Sequence, residues 1–533
     1  SLVSILFLLS LHISDNVIYV AIIFAFIHLS TSFFMLKYKK FNFKLLRILS
    51  TIYVFTIIIN NHPSIPLKIA LSLSIFVFLS ILEIKIIKIL KSKKGHLNTF
   101  IALEEHKHIS IAKSIFLLHS FILFGFIFNL NIISYGTAVS LFFHLILSYY
   151  TYKMLKERQN IKKSLPALVA NYNPEYALYF SAPQGSDFQV TMWINYLEKL
   201  SGRFIIILRE SVNFESISNI TNCPIISCPR IANLDECITK SLSTIFYVNN
   251  GMKNTHMVRF FDLTHIQLLH GDSDKSPSYN PVTAMYDKIF VAGQLGIDRY
   301  ANNGVNIPLE KFEIVGRPQL EKIDSLSTTS TSEIQTVLYA PTWLGYNSDS
   351  AYSSIMQAEI IIKSLLNIGN VRVIVKLHPY LYKNKQTSEI SKKLQNMLIK
   401  QNESDQLEHI YVSIDNTELD LFDYFNLCDC LISDVSSVAS DFLFSGKPMC
   451  ITDMMNEKEN IQKTFPISAV SYMLNSDMKN ISYCLDELLV KDSKREKRIE
   501  FKKYVLGDFE TSTYSENFTQ IANSLISTTK SSH

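Results

Sequence analysis

Several signatures of common catalytic and metal-binding classes are missing from this sequence. No GxxxxGK[ST] run is present, which excludes a P-loop nucleotide site, and neither GxSxG nor HExxH occurs. The seven cysteines form no paired CxxC spacing that would suggest zinc. Cys428 and Cys430 lie in an apolar run and are predicted to be buried strand positions, and free buried thiols fit a reducing compartment. The formal net charge of +4 is small, so it does not indicate nucleic-acid binding.

The sequence up to Tyr152 is poor in acidic residues and rich in Ile, Leu, Phe and Ser. A membrane-spanning helix needs ~20 apolar residues. Four segments approach or exceed that length: 17–36, 46–60, 67–87 and 112–152. They predict a transmembrane helical domain over residues 1–160, and a buried helical domain of a soluble protein is the alternative.

The loops between these segments alternate in charge. Lys and Arg are concentrated in the loops 37–47 and 85–94 and in the segment 153–163. The loop 60–66 has no Lys or Arg. Because basic loops stay on the cytoplasmic side, the pattern predicts a multi-pass membrane protein whose chain after residue 153 lies in the cytoplasm.

From residue 170 onward, short apolar runs alternate with amphipathic segments, which is typical of parallel sheets with crossover helices. The first series of predicted strands is Tyr176–Ser181, Phe204–Leu208, Thr244–Val248, Ile266–Leu269 and Lys288–Val291. The second series is Thr336–Tyr339, Arg372–Lys376, His409–Val412, Cys430–Ile432 and Pro448–Ile451. The Ser- and Thr-rich stretch Ser325–Ser332 between them is a predicted linker.

Two successive Rossmann-like domains with a cleft between them describe a GT-B-like α/β fold. The predicted domains are residues 170–325 and 333–525, after the helical domain 1–160. In a transferase with this architecture, the first would bind the acceptor substrate and the second the donor substrate. Ligands of open α/β sheets bind at the carboxyl ends of the strands. Polar residues that directly follow strands are therefore the candidates for a site.

Two histidines follow predicted strands. His270 and Gly271 come directly after an apolar run, and a His in such a turn can act as a general base toward an alcohol. Lys376 and His378 lie two residues apart, so a strand would place them on one face, where a cation and an imidazole suit a pyrophosphate. A structural turn or a solvated strand end is the alternative in each case.

A second group of candidates flanks a predicted helix and the predicted linker. Asp434, Ser436 and Ser437 lie at a strand-to-helix junction, where free backbone N–H groups favour a phosphate. Ordinary helix capping is the alternative, and it is compatible with phosphate binding. Arg317 and Thr342 lie on either side of the linker; Arg317 is suited to pair with phosphate, and a plain turn is the alternative for both.

Taken in order, these motifs resemble the CDP-glycerol glycerophosphotransferase family, whose members make teichoic acids and related polymers. The resemblance covers residues 175–525. Its marks are Val248-Asn249-Asn250, His270-Gly271 with Lys275 downstream, Gly316-Arg317-Pro318, Tyr339-Ala340-Pro341-Thr342, Lys376-Leu377-His378-Pro379, Ser433 to Ser437 with Asp441, and Tyr504 to Phe509. Two positions depart from the family pattern: Leu269 stands where a Trp often precedes the His-Gly pair, and Trp343 follows the Pro-Thr pair where a basic residue is common.

The resemblance implies that His270 is the catalytic base. It also places His378 and Asp434 among the catalytic residues, with His378 on the pyrophosphate of the donor and Asp434 orienting the site. The residues implied to bind substrate are Gly271, Lys275, Arg317, Thr342, Lys376, Ser436, Ser437 and Asp441. The resemblance implies neither a metal ion nor another cofactor.

The implied function is transfer of a polyol phosphate, either glycerol phosphate or ribitol phosphate, from a CDP-activated donor to a growing teichoic acid or capsular polymer. The expected partners are this donor, a lipid-linked or polymer acceptor, and the membrane; no nucleic acid is expected. One alternative is a GT-B glycosyltransferase that uses a nucleotide sugar. The other is a non-catalytic membrane scaffold of polymer synthesis, and the presence of both His270 and His378 argues against it.

Overall fold

A computed structural model describes most of the chain from residue 132 onward. The described residues are 99, 132–271, 273–274, 276–324, 333–345, 352–414, 419–456, 461–509 and 513–531. The chain divides into two compact units, Ser1–Val169 and Ala170–His533. The predicted membrane segments 17–36, 46–60 and 67–87 and the predicted linker Ser325–Ser332 lie outside the described residues.

Helix α1 (Ile132–Tyr172) begins inside the fourth predicted membrane segment, 112–152. It is 41 residues long and contains Pro166, and basic residues follow one another along it from Lys153 onward. Of the helices that the structure describes, none combines the length and the apolar character needed to cross a membrane.

The second unit contains two parallel sheets. The first has the strand order β3-β2-β1-β4-β5-β6-β7, and all of its neighbouring strands are parallel. Its strands are β1 (Tyr176–Phe180), β2 (Phe204–Leu208), β3 (Ile225–Ser227), β4 (Thr244–Tyr247), β5 (Thr264–Gln267), β6 (Lys288–Val291) and β7 (Phe312–Ile314). Strands of such sheets are covered on both faces, which is why β2 is apolar and buried at every position.

The second sheet has the order β10-β9-β8-β11-β12-β13 and is also parallel throughout. Its strands are β8 (Gln335–Ala340), β9 (Val371–Lys376), β10 (Ile410–Val412), β11 (Cys430–Asp434), β12 (Met449–Asp453) and β13 (Tyr472–Asn475). Two parallel sheets in succession confirm the predicted GT-B-like α/β fold. Cys428 and Cys430 are buried, as predicted, but only Cys430 is in a strand; Cys428 ends the preceding helix, two residues before β11.

The helices after α1 lie between the strands and after the last one. They are α2 (Phe188–Leu197), α3 (Phe214–Ser218), α4 (Thr255–Val258), α5 (Gln294–Asn302), α6 (Ala358–Leu366), α7 (Lys385–Asp405), α8 (Leu421–Leu427), α9 (Ser437–Phe442), α10 (Ile461–Thr464), α11 (Ile481–Asp486), α12 (Arg495–Leu506) and α13 (Tyr514–Ser531). Helix α13 starts with Tyr514 in the core of the second sheet and then buries Phe518, Ala522 and Ile526 in the core of the first.

All ten predicted strands are present, and their ends differ from the predicted ones by no more than two residues. Three strands were not predicted: β3, β7 and β13. Each is at the edge of its sheet and has only three or four residues. An edge strand has one neighbour and less buried surface, so its apolar run is too short to stand out in the sequence.

Candidate functional site

In each sheet the strand order reverses at one point, between β1 and β4 in the first and between β8 and β11 in the second. Ligands of parallel sheets bind outside the carboxyl ends of the strands at such a point. In the second sheet, Thr342 follows β8, and Ser436 and Ser437 follow β11. In the first sheet, His270 follows β5, the neighbour of β4.

A tight turn brings His270 to the end of its strand. Strand β5 ends at Gln267, two residues earlier than predicted, and Leu269 adopts a left-handed conformation with φ of 55°. The Leu269 N–H donates to Oε1 of Gln267 at 3.0 Å, and its carbonyl accepts from Nε1 of Trp193 at 2.6 Å. A branched residue rarely adopts this conformation, and such strain is concentrated at functional sites. These two hydrogen bonds stabilise the turn, and the turn directs the chain at His270 away from the line of strand β5.

The hydrogen bonds of His270 define which of its nitrogens is available. Nδ1 lies 2.8 Å from the Val248 carbonyl, which can only accept, so Nδ1 carries the proton of the neutral ring. Nε2 is then a proton acceptor, and the Gln189 amide nitrogen is 3.5 Å away from it. Burial lowers the pKa of His270; the bond to Val248 partly offsets this, and the charge of Arg317 lowers the pKa again. His270 is therefore arranged as a neutral base.

Gly271 joins the His270 turn to the second sheet. A Cβ at this position would lie 3.1 Å from Cβ and 3.2 Å from Oγ of Ser437 at the start of α9. Any larger side chain would push the two backbones apart. The absence of a side chain therefore allows the His270 turn to contact the serines that follow β11.

Ser436 precedes α9 and is buried. Its Oγ has no hydrogen-bond partner in the structure and does not cap the helix. A buried hydroxyl without a partner is unfavourable by roughly 1–3 kcal/mol. Ser436 is therefore a donor available to a ligand that reaches this junction.

Arg317 and Asp441 form a buried ion pair that spans the two sheets. Nε of Arg317 is 2.5 Å from Oδ1 of Asp441, and Nη2 donates to Oδ2 at 3.0 Å. The preceding Gly316 has φ of 76° and no space for a Cβ, because the Tyr514 ring would be 2.5 Å away. Arg317, predicted to pair with phosphate, is thus paired with a carboxylate in this structure, and its substrate role stays a prediction.

Asp434 is fully buried at the end of β11 and accepts three hydrogen bonds. Oδ2 accepts from the Thr342 N–H at 2.7 Å, and Oδ1 accepts from the Ser354 N–H at 3.1 Å and from Oγ1 of Thr452 at 2.6 Å. Burial raises the pKa of this carboxyl, and the hydrogen bonds lower it. The geometry makes Asp434 the residue that positions the Thr342 turn, and its catalytic role stays a prediction.

His378 has the opposite hydrogen-bond pattern to His270. Its Nδ1 accepts from the Tyr380 N–H at 3.1 Å, so the neutral ring carries its proton on Nε2. The ring packs against Tyr380 and Trp343, with centroids 5.3 and 6.4 Å away. His378 is therefore arranged as a donor to an anion.

Lys376 and His378 have different neighbours. Strand β9 ends at Lys376, so strand alternation does not extend to His378, which begins a 3₁₀ turn. Nζ of Lys376 lies 4.7 Å from the centroid of the Tyr424 ring, and burial lowers its pKa. The expectation that one face carries both side chains stays a prediction.

A second contact joins the sheets beside His378. The Ser186 hydroxyl, in the loop after β1, is 3.5 Å from the Tyr380 hydroxyl. Phe188, two residues further on, packs its ring edge-to-face against His270 with centroids 6.0 Å apart. The chain from Ser186 to Phe188 thus contacts the surroundings of both histidines.

Some predicted residues are not tested by this geometry, and one important residue was not predicted. Lys275 lies outside the described residues. Over the described ranges no cluster of three His, Cys, Asp or Glu residues could hold a metal ion, and the expectation of no cofactor stays a prediction. Sequence reasoning missed Gln189; its place in the first turn of the helix after β1, at the ligand edge of the sheet, was the available signal.

Comparison with known proteins finds a family model that matches part of the chain. Residues 320–464 match the family described as CDP-Glycerol:Poly(glycerophosphate) glycerophosphotransferase. The segment includes Thr342, His378 and the serines after β11. This match confirms the predicted resemblance over residues 320–464. No curated protein matches the chain.

The fold also resembles solved structures of low sequence identity. The wall teichoic acid polymerase TagF is 14% identical with a TM-score of 0.44, and the match covers 72% of this chain and 97% of that one. A glycosyltransferase from Rickettsia africae is 11% identical with a TM-score of 0.41, and the match covers 66% of this chain and 98% of that one.

Proposed function

We propose that this chain, a CDP-glycerol phosphotransferase-like enzyme by its match over residues 320–464, transfers a polyol phosphate from a CDP-activated donor to a hydroxyl of a growing teichoic acid or capsular polymer. Glycerol phosphate and ribitol phosphate are the candidate groups.

One observation carries the proposal: the contact between Gly271 and Ser437. It brings a neutral imidazole from the first sheet to the junction where Ser436 presents a buried hydroxyl without a partner. A base and an unsatisfied donor on opposite sides of one crevice are the two elements that phosphoryl transfer to an alcohol needs.

The reaction then uses the two histidines differently. Nε2 of His270 takes the proton of the acceptor hydroxyl, and the hydroxyl oxygen forms a bond to the phosphorus that carries the polyol. The bond between this phosphorus and the bridging oxygen of the diphosphate breaks. CMP leaves with that oxygen and the bonding electrons. Burial keeps His270 uncharged before the reaction because it lowers the pKa of the ring.

The second sheet holds the diphosphate in this mechanism. Ser436 and Ser437 donate through their hydroxyls, and His378 donates from Nε2 because its Nδ1 accepts from Tyr380. The Arg317–Asp441 pair keeps the two sheet ends in register. Charge stabilisation and positioning supply the catalysis, with no covalent intermediate.

A donor screen tests the reaction. The purified protein is incubated with CDP-glycerol, CDP-ribitol, UDP-sugars or GDP-sugars and a polymer acceptor, and the released nucleotide is measured. Acceptor-dependent release of CMP supports the proposal. Turnover of nucleotide sugars alone would replace it with the glycosyltransferase alternative, and no turnover of any donor would favour the scaffold.

We further propose that the protein is a multi-pass protein of the bacterial cell membrane with its catalytic region in the cytoplasm. The alternation of basic and uncharged loops before residue 163 supports this topology. Alkaline carbonate extraction of membranes, followed by protease treatment of inside-out and right-side-out vesicles, measures it. Release of the protein by carbonate, or cleavage of the catalytic region in right-side-out vesicles, would contradict it.

A further inference from the structure

The Gln189 amide lies between two groups at the edge of the first sheet. Its Oε1 accepts from Nδ2 of Asn249 at 2.8 Å, and its Nε2 is 3.5 Å from Nε2 of His270. Gln189 is only half-buried, in the first turn of α2. Its amide is therefore adjacent to the proposed base and can be reached by a ligand.

The orientation of this amide follows from its neighbours. Oδ1 of Asn249 accepts from the Gly251 N–H at 2.9 Å, so Nδ2 of Asn249 is the group that donates to Gln189. The Gln189 oxygen must then face Asn249, and its NH₂ group must face His270. Nε2 of His270 accepts there, because Nδ1 already donates to Val248. Each group in this series of hydrogen bonds therefore has only one assignment as donor or acceptor that agrees with its partners.

We propose that the Gln189 amide binds the oxygen of the acceptor hydroxyl and directs the hydroxyl proton at Nε2 of His270. The inference rests on the proposed function. The N–N separation of 3.5 Å exceeds that of an ordinary hydrogen bond. A hydroxyl both donates and accepts, so it can accept from Gln189 and donate to His270 at once. Asn249 and Val248 are the positioning groups that hold this pair.

Other groups around His270 do not perform the same task. Arg317 is a charged neighbour that lowers the pKa of His270, and it is paired with Asp441. The Phe188 ring packs against the imidazole, and Ser437 lies against the following Gly271. Gln189 is the neutral donor whose direction is fixed toward the reactive nitrogen.

Kinetics of Gln189→Leu and Gln189→Glu test the proposal. Both remove the donor to the hydroxyl, so kcat/KM for the acceptor should fall by about 10- to 100-fold, as expected for a misplaced reactant. The KM for the CDP-donor should change less than twofold. Gln294→Leu, the same change on an exposed helix residue, should match the wild type. Equal loss for donor and acceptor, or no loss, would overturn the assignment.

The pH profile separates positioning from a structural effect. An amide N–H facing Nε2 opposes protonation of the ring, and a carboxylate favours it. The acid limb of acceptor kcat/KM should therefore lie at lowest pH in the wild type, higher in Gln189→Leu and highest in Gln189→Glu. A common limb in all three proteins would overturn the proposal.

A chemical probe keeps this test independent of turnover. The rate of carbethoxylation of His270 by diethyl pyrocarbonate, followed by mass spectrometry against pH, reports its neutral fraction in each full-length protein. The same order of midpoints is expected, with the half-buried His256 of α4, which does not contact Gln189, as an internal reference. If the wild type releases no CMP, the proposed function fails; if the His270 midpoint is identical in all three proteins, the role of Gln189 fails.

Discussion

The two sides of the candidate site each hold one imidazole, and their hydrogen bonds are opposite. On the first sheet, Nδ1 of His270 donates to a carbonyl, which leaves Nε2 as an acceptor. On the second, Nδ1 of His378 accepts from a backbone N–H, which makes Nε2 a donor. The backbone group that each ring meets thus decides whether the side chain takes a proton or binds an anion. One residue type can serve both halves of a group transfer.

The largest expected effect separates the two histidines. His270→Ala should lower the rate of acceptor-dependent CMP release by about 10²–10⁴-fold, because a positioned general base is lost, and donor KM should stay the same. His378→Ala should mainly raise donor KM, by about tenfold for one lost hydrogen bond to a charged group. Initial rates measure both, with circular dichroism as a check on folding. Similar changes in donor KM for the two variants would contradict the comparison.

The next effect concerns the ion pair that couples the two sides. Arg317→Met should lower the free energy of unfolding by about 3–5 kcal/mol, because Asp441 becomes an unpaired buried charge. The double variant Arg317→Met/Asp441→Leu should recover most of this loss. Urea unfolding measures it.

Arg259→Met is the matched control, since its pair with Asp235 is exposed. Its removal should cost less than about 1 kcal/mol. A double variant as unstable as the single one would show that the loss does not come from an unpaired charge on Asp441.

Asp434 supports only the second side. Asp434→Asn replaces one accepting oxygen by a donor, so at least one of Thr342, Ser354 and Thr452 loses its partner. The expected loss is about 1–3 kcal/mol of unfolding free energy. Thermal unfolding measures it, with the exposed Asp235→Asn as the control. Unchanged stability would argue that the carboxylate is needed for chemistry alone.

The smallest expected effect is at Ser436, whose hydroxyl has no partner. Ser436→Ala should raise the free energy of unfolding by up to about 3 kcal/mol, because a buried hydroxyl without a partner is removed. It should also raise donor KM by up to about tenfold, the value of one hydrogen bond to a charged ligand. Ser433→Ala is the opposite case, because its hydroxyl donates to the Ala340 carbonyl at 2.7 Å. It should lower stability and leave donor KM unchanged. A stability loss for Ser436→Ala would contradict an available donor.

The sheets could be predicted because their central strands are mostly apolar. β1 and β2 of the first sheet each have five buried apolar residues, and β9 of the second has four apolar residues beside Arg372 and Lys376. The order of the strands within each sheet changes direction next to β1 and next to β8. This order depends on the direction of the crossover connections, which no local sequence pattern encodes. The division of the core between the two sheets also does not follow the order of the chain. Leu295 of α5, a helix that lies between strands of the first sheet, packs in the core of the second sheet.

The candidate site was predictable where a residue's position after a strand was enough. His270 and His378 were found in this way. The contacts that the sequence did not reveal are made with residues far away in the chain. Asp434 accepts hydrogen bonds from Thr342 and Thr452, and Arg317 pairs with Asp441, 124 residues later. Gln189 was missed because its importance comes from Asn249 and His270, which no spacing rule connects to it.

The return of helix α13 to the first sheet has a practical consequence for dissecting the enzyme. A cut near residues 325–332 would yield an amino-terminal half whose sheet lacks the cover supplied by Phe518, Ala522 and Ile526. The carboxyl-terminal half would carry the same three apolar side chains exposed to water. The two halves are therefore expected to be insoluble when expressed alone and to become soluble when expressed together. Truncating the chain before Phe518 should destabilise the first sheet before the second.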